Sequence, residues 1–239
     1  MIERHLTRMG LRHEISAEEE RAIRSLFTEV REYPANKTAV RAEQQIEFST
    51  LLLDGLMCRY KDLKNGQRQI AELHVAGDFA DLHSYVLKRL DHNIMTLTAC
   101  RIAIAPHHRL REVTEAYPRI AKMYWFSTAL DASIHREWVL SLGRRTALSR
   151  MAALFCELQV RLAIVDLADE GGFDFALNQV ELAECLGLTP VHVNRTLKQL
   201  RELHLMTFRN QRVDIHDFPG LKRVAEFDPF YLYLDRQPF

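Results

Sequence analysis

Between Thr189 and Lys198 the chain carries side chains suited to gripping a nucleic acid, in the run Thr-Pro-Val-His-Val-Asn-Arg-Thr-Leu-Lys. Arginine can hold the O6 and N7 edge of guanine with two hydrogen bonds, and a valine can meet a thymine methyl. Threonine, histidine and lysine donate to phosphate oxygens, which sets register without reading sequence. By these rules Arg195 and Val191 are candidate base readers, with Asn194 on the same outward side. Thr189, His192 and Lys198 are candidate phosphate contacts. Arg209 and Arg212 flank Asn210-Gln211 and are further phosphate candidates.

These side chains need an element to present them, and the stretch from Leu177 to Met206 predicts a helix-turn-helix. Asn178 is a good N-cap, since its side chain accepts from an early unpaired N–H. Leu182, Ala183 and Leu186 share one face of the helix that follows. Gly187 stands where the chain must turn, and glycine takes a left-handed conformation at little cost. Thr189 caps the second helix, and Pro190 suits its first position, where the missing N–H would go unpaired anyway. Val193, Leu197, Leu200 and Leu203 recur at helical spacing and are expected to face inward. Met206 to His216 predicts two short strands joined at Asn210-Gln211, a basic wing beside the helices. The ordinary alternative for this stretch is a helical hairpin in a core.

The composition is that of a globular chain: 239 residues, 47% hydrophobic and 27% charged, with 32 basic residues against 32 acidic. Global charge therefore does not argue for nucleic acid. From Leu177 to Val213 the balance is five basic residues to three acids, a slight local bias. There is no apolar run long enough to span a membrane and no signal-peptide pattern, so a cytoplasmic protein is expected. The four cysteines, Cys58, Cys100, Cys156 and Cys185, lie scattered within apolar patterns and predict buried free thiols; a redox sensor would need one of them exposed.

Upstream, Ser16 and Glu19 form a capping box for a short helix bearing Ala22, Ile23, Leu26 and Phe27. From Val30 to Ala105 short runs of β-forming residues are broken by Pro34-Ala-Asn36, Asp54-Gly55, Asn65-Gly66 and Gly77-Asp78, which predicts a small antiparallel barrel or roll. Leu110 to Tyr117 is a helix stopped by Pro118. From Pro118 to Leu142 no glycine or proline interrupts, and Ile120, Met123, Ser127, Leu130 and Ile134 follow the 3-4-3-4 spacing of a coiled-coil seam. Packing of that stripe on the chain's own roll is the alternative, and the two are compatible. Gly143-Arg-Arg breaks the pattern; Thr146 then caps a helix bearing Leu148, Met151, Leu154, Phe155 and Leu158, and Asp169 to Gly172 reads as a loop. The expected division is 1–117, a β-roll sensor with flanking helices; 118–142, a dimerisation helix; and 143–239, a winged helix-turn-helix domain. The fold class is α+β.

This order resembles the Crp/Fnr family of bacterial transcription regulators over nearly the whole chain. The resemblance rests on the Asn65-Gly66 hairpin, Gly77-Asp78-Phe79, Thr98-Ala-Cys-Arg-Ile-Ala, the long helix, Arg145-Thr-Ala-Leu-Ser-Arg-Met-Ala and the helix-turn-helix. It implies a cyclic-nucleotide-binding-type roll, a homodimer, a palindromic site in double-stranded DNA, and RNA polymerase as a further partner. It also implies base contact at Pro190, Val191 and Arg195, of which the first two cannot donate. The nucleotide site is not carried over: Leu82 stands at an acidic position of cyclic-AMP binders, and Asp91 stands where a phosphate partner should be. The N-terminal cysteine cluster of the iron-sulfur members is missing too. Among the histidines, His74, His83, His92 and His107-His108 show no metal-ligand spacing, so no metal and no cofactor is expected, and a small-molecule effector is left unknown. Two other functions were weighed. A β-roll metalloenzyme of cupin type needs a His-x-His pair that the roll lacks; a regulator acting through protein partners would have no use for Arg195 and Lys198.

Overall fold

The computed structural model describes residues 1–236; the last three residues of the expected 143–239 domain fall outside them. The class is α+β, as expected. The N-terminal part holds α1 (Glu3–Arg12), α2 (Ala17–Ser25), β1 (Glu29–Tyr33), β2 (Thr38–Val40), β3 (Phe48–Asp54), β4 (Met57–Asp62), β5 (Arg68–His74), α3 (Ser84–Leu87), β6 (Asn93–Thr96), β7 (Cys100–Pro106) and α4 (His107–Ala116). Then come α5 (Pro118–Arg144), α6 (Ala147–Ala163), β8 (Ala168–Asp169), β9 (Gly172–Asp174), α7 (Gln179–Leu186), α8 (Pro190–Glu202), β10 (Met206–Arg209), β11 (Arg212–Ile215), α9 (Phe218–Ala225) and a 3-10 turn, Pro229–Leu232. The roll consists of a three-stranded sheet in order β1-β7-β3 and a four-stranded sheet in order β2-β6-β4-β5.

Two compact units emerge: Met1–Lys61 with Leu73–Ser133 and the chain from Tyr233, and Asp62–Glu72 with Ile134–Leu232. In the first, Ile2, Met9, Ile23, Leu26, Leu51, Ala103 and Leu110 close around Ile120, Met123 and Tyr124 of α5. Helix α1 has no side-chain cap and no place in the sequence reading. Its apolar contribution comes from Ile2 and Met9, with His5 between them, buried and donating from Nδ1 to the Gly77 carbonyl, 3.0 Å away. Since a carbonyl only accepts, Nδ1 carries the proton.

The long helix runs past the expected stop at Leu142, through Gly143 to Arg144. A glycine inside a helix costs under about 1 kcal/mol against alanine, too little to break one that is otherwise held. In the second unit, Phe155, Phe173, Phe175 and Phe208 form a ring cluster with centroids 5.8–6.1 Å apart. Beside it Glu157 is buried as a hub: it accepts from Trp138 Nε1 at 3.1 Å, Arg161 Nη1 at 2.8 Å and the Tyr231 hydroxyl at 2.8 Å. All four cysteines are buried, and none forms a disulfide among the described residues. Burial pushes the Cys156 thiol up to about 12, which leaves it without thiolate character.

Candidate nucleic-acid interface

The helix-turn-helix forms on the signals the residues offer. Asn178 accepts from the N–H groups of Val180 and Glu181, and Glu181 accepts from the Asn178 N–H at 2.7 Å, closing a reciprocal cap. Gly187 takes φ +60° at the end of α7. Thr189 Oγ1 accepts from the His192 N–H at 3.2 Å, and Pro190 opens α8.

Helix α8 buries Val193, Thr196 and Leu200. This corrects the expected inward set. Leu203 is 52% exposed, and Leu197 is half-buried. Positions 196 and 197 both lie at helical spacing from 193 and 200, and it is the packing of α8 that turns 196 inward. A threonine is tolerated there because its hydroxyl donates to the His192 carbonyl at 2.9 Å.

The opposite face is open. Val191 is 82% exposed, and Asn194, Arg195 and Lys198 are exposed with it. Val191, Arg195 and Lys198 stand at i, i+4 and i+7, so they rise along one side of the helix. Arg195 makes no ion pair or side-chain hydrogen bond with any described residue. Glu181, the nearest sequence candidate to hold it, is spent on the cap of α7. Among the described residues Lys198 meets only Glu202, at 3.5 Å, one exposed turn away. His192 is half-buried.

The wing is larger than the expected hairpin: β10 and β11 pair with β9 and β8 in a four-stranded antiparallel sheet, so the expected loop at Asp169–Gly172 is the turn of a second hairpin. Asn210 and Gln211 carry φ of 51° and 61°, the two-residue turn whose twist suits paired strands. Arg209 projects from this turn, exposed and without a partner among the described residues. Arg212 differs from what was expected of it. Its guanidinium is surrounded by Asp214 at 3.0 Å, Asp174 at 3.2 Å and Asp169 at 3.7 Å. Three carboxylates, one each from β8, β9 and β11, meet its donors, so it is not a free cation.

The stripe chosen from sequence for a seam is not open either. Ile120 and Met123 belong to the chain's own core; Leu130 and Ile134 are buried, and Ser127 is half-buried with its hydroxyl donating to the Met123 carbonyl. A second 3-4 series on α5 remains exposed: Trp125, Ala129, Ala132, Arg136, Val139 and Gly143, with Leu140 beside it. Trp125 is 76% exposed and Val139 70%. Sequence reasoning passed over it because alanine, arginine and glycine dilute its apolar signal.

On the roll, Leu82 packs against the core, and Asp91 lies exposed between Lys61 Nζ at 3.0 Å and His92 Nδ1 at 2.9 Å. Hydrogen bonds from His92, then Lys61, hold its carboxyl well below the usual range. Lys88 is turned to His107 Nδ1, 3.1 Å away, and lies over the Tyr85 ring. His107 Nε2 in turn meets Ser49 and Ser84.

A winged helix-turn-helix with a polar, exposed outer face on its second helix is the arrangement of a DNA-binding transcription regulator. Residues 149–224 match the family model of the Crp-like helix-turn-helix domain. The transcriptional activator FnrL of Cereibacter sphaeroides is 27% identical over 203 residues, 83% of this chain and 81% of its own. The nitrogen fixation regulation protein FixK of Bradyrhizobium diazoefficiens is 30% identical over 153 residues, 62% of each chain. The solved structure of FixK2 from Bradyrhizobium japonicum shares the fold with a TM-score of 0.76 at 21% identity, covering 84% of this chain and 98% of that one. Residues 149–224 thus form a Crp-like helix-turn-helix domain, and over most of its length the chain is similar to transcription regulators of the FnrL and FixK kind. Among the described residues no helix is long and apolar enough to cross a membrane.

Proposed function

We propose that the protein works in the cytoplasm as a homodimer that reads a palindromic DNA site with α8 and meets RNA polymerase there. The observation that carries the reading is the open face of α8, where Arg195 is held by no other described residue. An exposed arginine on the first turns of a recognition helix reaches a base edge; Val191, one turn before it, offers methyl groups to a thymine. Asn194 adds an amide on the same face. Thr189, His192, Lys198 and Arg209 hold phosphates. Dimerisation is assigned to Trp125, Ala129, Ala132 and Val139, since an apolar 3-4 series left in water on a long helix is what a partner helix covers.

Cyclic AMP is not the ligand in this reading. An ionised Asp91 repels a phosphate, and Leu82 offers no acceptor to a ribose hydroxyl. Calorimetry with cyclic AMP should show no binding at micromolar concentrations.

The test of DNA reading compares Arg195→Ala with Lys198→Ala on single-base variants of a selected operator. Loss of Arg195 should cost about 1–3 kcal/mol and relax preference at one symmetric pair of positions. Loss of Lys198 should weaken every site alike and flatten the salt dependence by about one. Uniform loss for both variants would leave Arg195 with a backbone role only.

A further inference from the structure

Helix α7 ends on Leu186, and like any helix it leaves its last four carbonyls without intrahelical donors. The Ala183 carbonyl is taken by the N–H groups of Gly187 and Leu188 in the turn. The remaining three are taken by side chains from distant parts of the chain. Gln69 Nε2 donates to the Glu184 carbonyl at 2.8 Å and to that of Cys185 at 3.2 Å. Arg150 Nη1 donates to the Leu186 carbonyl.

The same guanidinium closes the end of the long helix. Arg150 Nε donates to the Ser141 carbonyl at 3.1 Å, and Nη2 donates to those of Leu142 at 2.9 Å and Arg145 at 3.2 Å. One planar fork thus serves four backbone carbonyls, three at the end of α5 and one at the end of α7. Only arginine has the donors for this, and a cation is also favoured at both negative helix ends. Gly187 sits on the joint: a Cβ there would rest 3.5–3.7 Å from Leu142, Gln69 and Arg150, in ordinary van der Waals contact with all three.

We propose that Arg150, with Gln69 as its second point, is a positioning residue that fixes the bearing of the helix-turn-helix against the end of the long helix. This rests on the dimeric reading above. In a dimer on a palindrome the two recognition helices must meet major grooves about one helical turn apart. The second contact is then intramolecular, and its gain disappears when geometry forbids both at once. Arg150 acts on that geometry and touches no base.

The test uses the full-length protein and a palindrome selected by the wild type from random-sequence DNA. It measures affinity for the palindrome, for one half-site, and for palindromes with the spacer changed by one or two base pairs. Arg150→Lys keeps the charge but cannot span four carbonyls. It should lose at least about tenfold on the palindrome, hold half-site affinity within about twofold, and discriminate less between spacers, since it is avidity that is lost. Gln69→Leu should shift the same ratio by less, and thermal unfolding of both variants separates instability from mispositioning. Equal loss on half-site and palindrome, or an unchanged spacer preference in Arg150→Lys, overturns the proposal while the dimeric reading stands. A wild type that binds the half-site as tightly as the palindrome overturns the dimeric reading and this proposal with it.

Discussion

Arg195 and Arg212 show why identity at a position is not availability. Both are arginines near the expected interface, yet one projects from a helix with no partner among the described residues and the other is ion-paired at the surface with Asp169, Asp174 and Asp214. Taking Arg212 to a phosphate would strand three carboxylates facing a polyanion. Arg212→Ala should therefore change DNA affinity by less than twofold, whereas Arg209→Ala should weaken all sites and lower the salt slope by about one; filter binding across a salt series measures both. A salt slope that falls equally for the two would show that DNA opens the carboxylate cluster.

At the scale of elements, the long helix has two 3-4 series, and only the structure says which is inside. Burying a charge in the exposed series should break the dimer without harming the subunit. Trp125→Glu with Val139→Asp should weaken association by about 3–5 kcal/mol while the circular dichroism spectrum stays native. Ile120→Asp should unfold the roll instead. Sedimentation of the first variant as a dimer at micromolar concentration would remove the assigned seam. The start of each helix and the turn between them were legible, because Asn178, Gly187, Thr189 and Pro190 are local signals whose physics is settled within a turn of chain. What was not legible depends on how elements pack. Helix α1 lacks a cap and is held by burial of Ile2, His5 and Met9. Thr196 hides its hydroxyl in its own helix and so takes a slot that hydrophobicity gives to Leu197. Strands β8 and β9, of two and three residues, carry too short a pattern to read and exist because β11 pairs with β9 and β9 with β8.

For the molecule as a whole, two buried groups of the first unit pull its stability in opposite directions with pH. Burial raises the Asp81 carboxyl to about 7 from an ordinary 3.8, against the Thr50 N–H, which favours the charged form. The folded form then keeps a proton that the unfolded chain has released, so this contribution is full at low pH and is lost as pH rises through about 7. Burial lowers His5 to about 4 from 6.5. Its contribution is full above 6.5 and is lost as pH falls toward 4, roughly 3 kcal/mol over that span. In urea unfolding between pH 4 and 8, the stability advantage of wild type over Asp81→Asn should shrink as pH rises, and that over His5→Gln should grow. Parallel curves for all three proteins would rule this out. The hub at Glu157 sets a condition of another kind, on the order of synthesis. Trp138 and Arg161 emerge close to it, but Tyr231 follows 74 residues later. At ~5–20 residues per second that is roughly 4–15 s in which the newborn domain holds a carboxylate short of one donor. The finished wing and helices wait, in that interval, for the tail to fasten them.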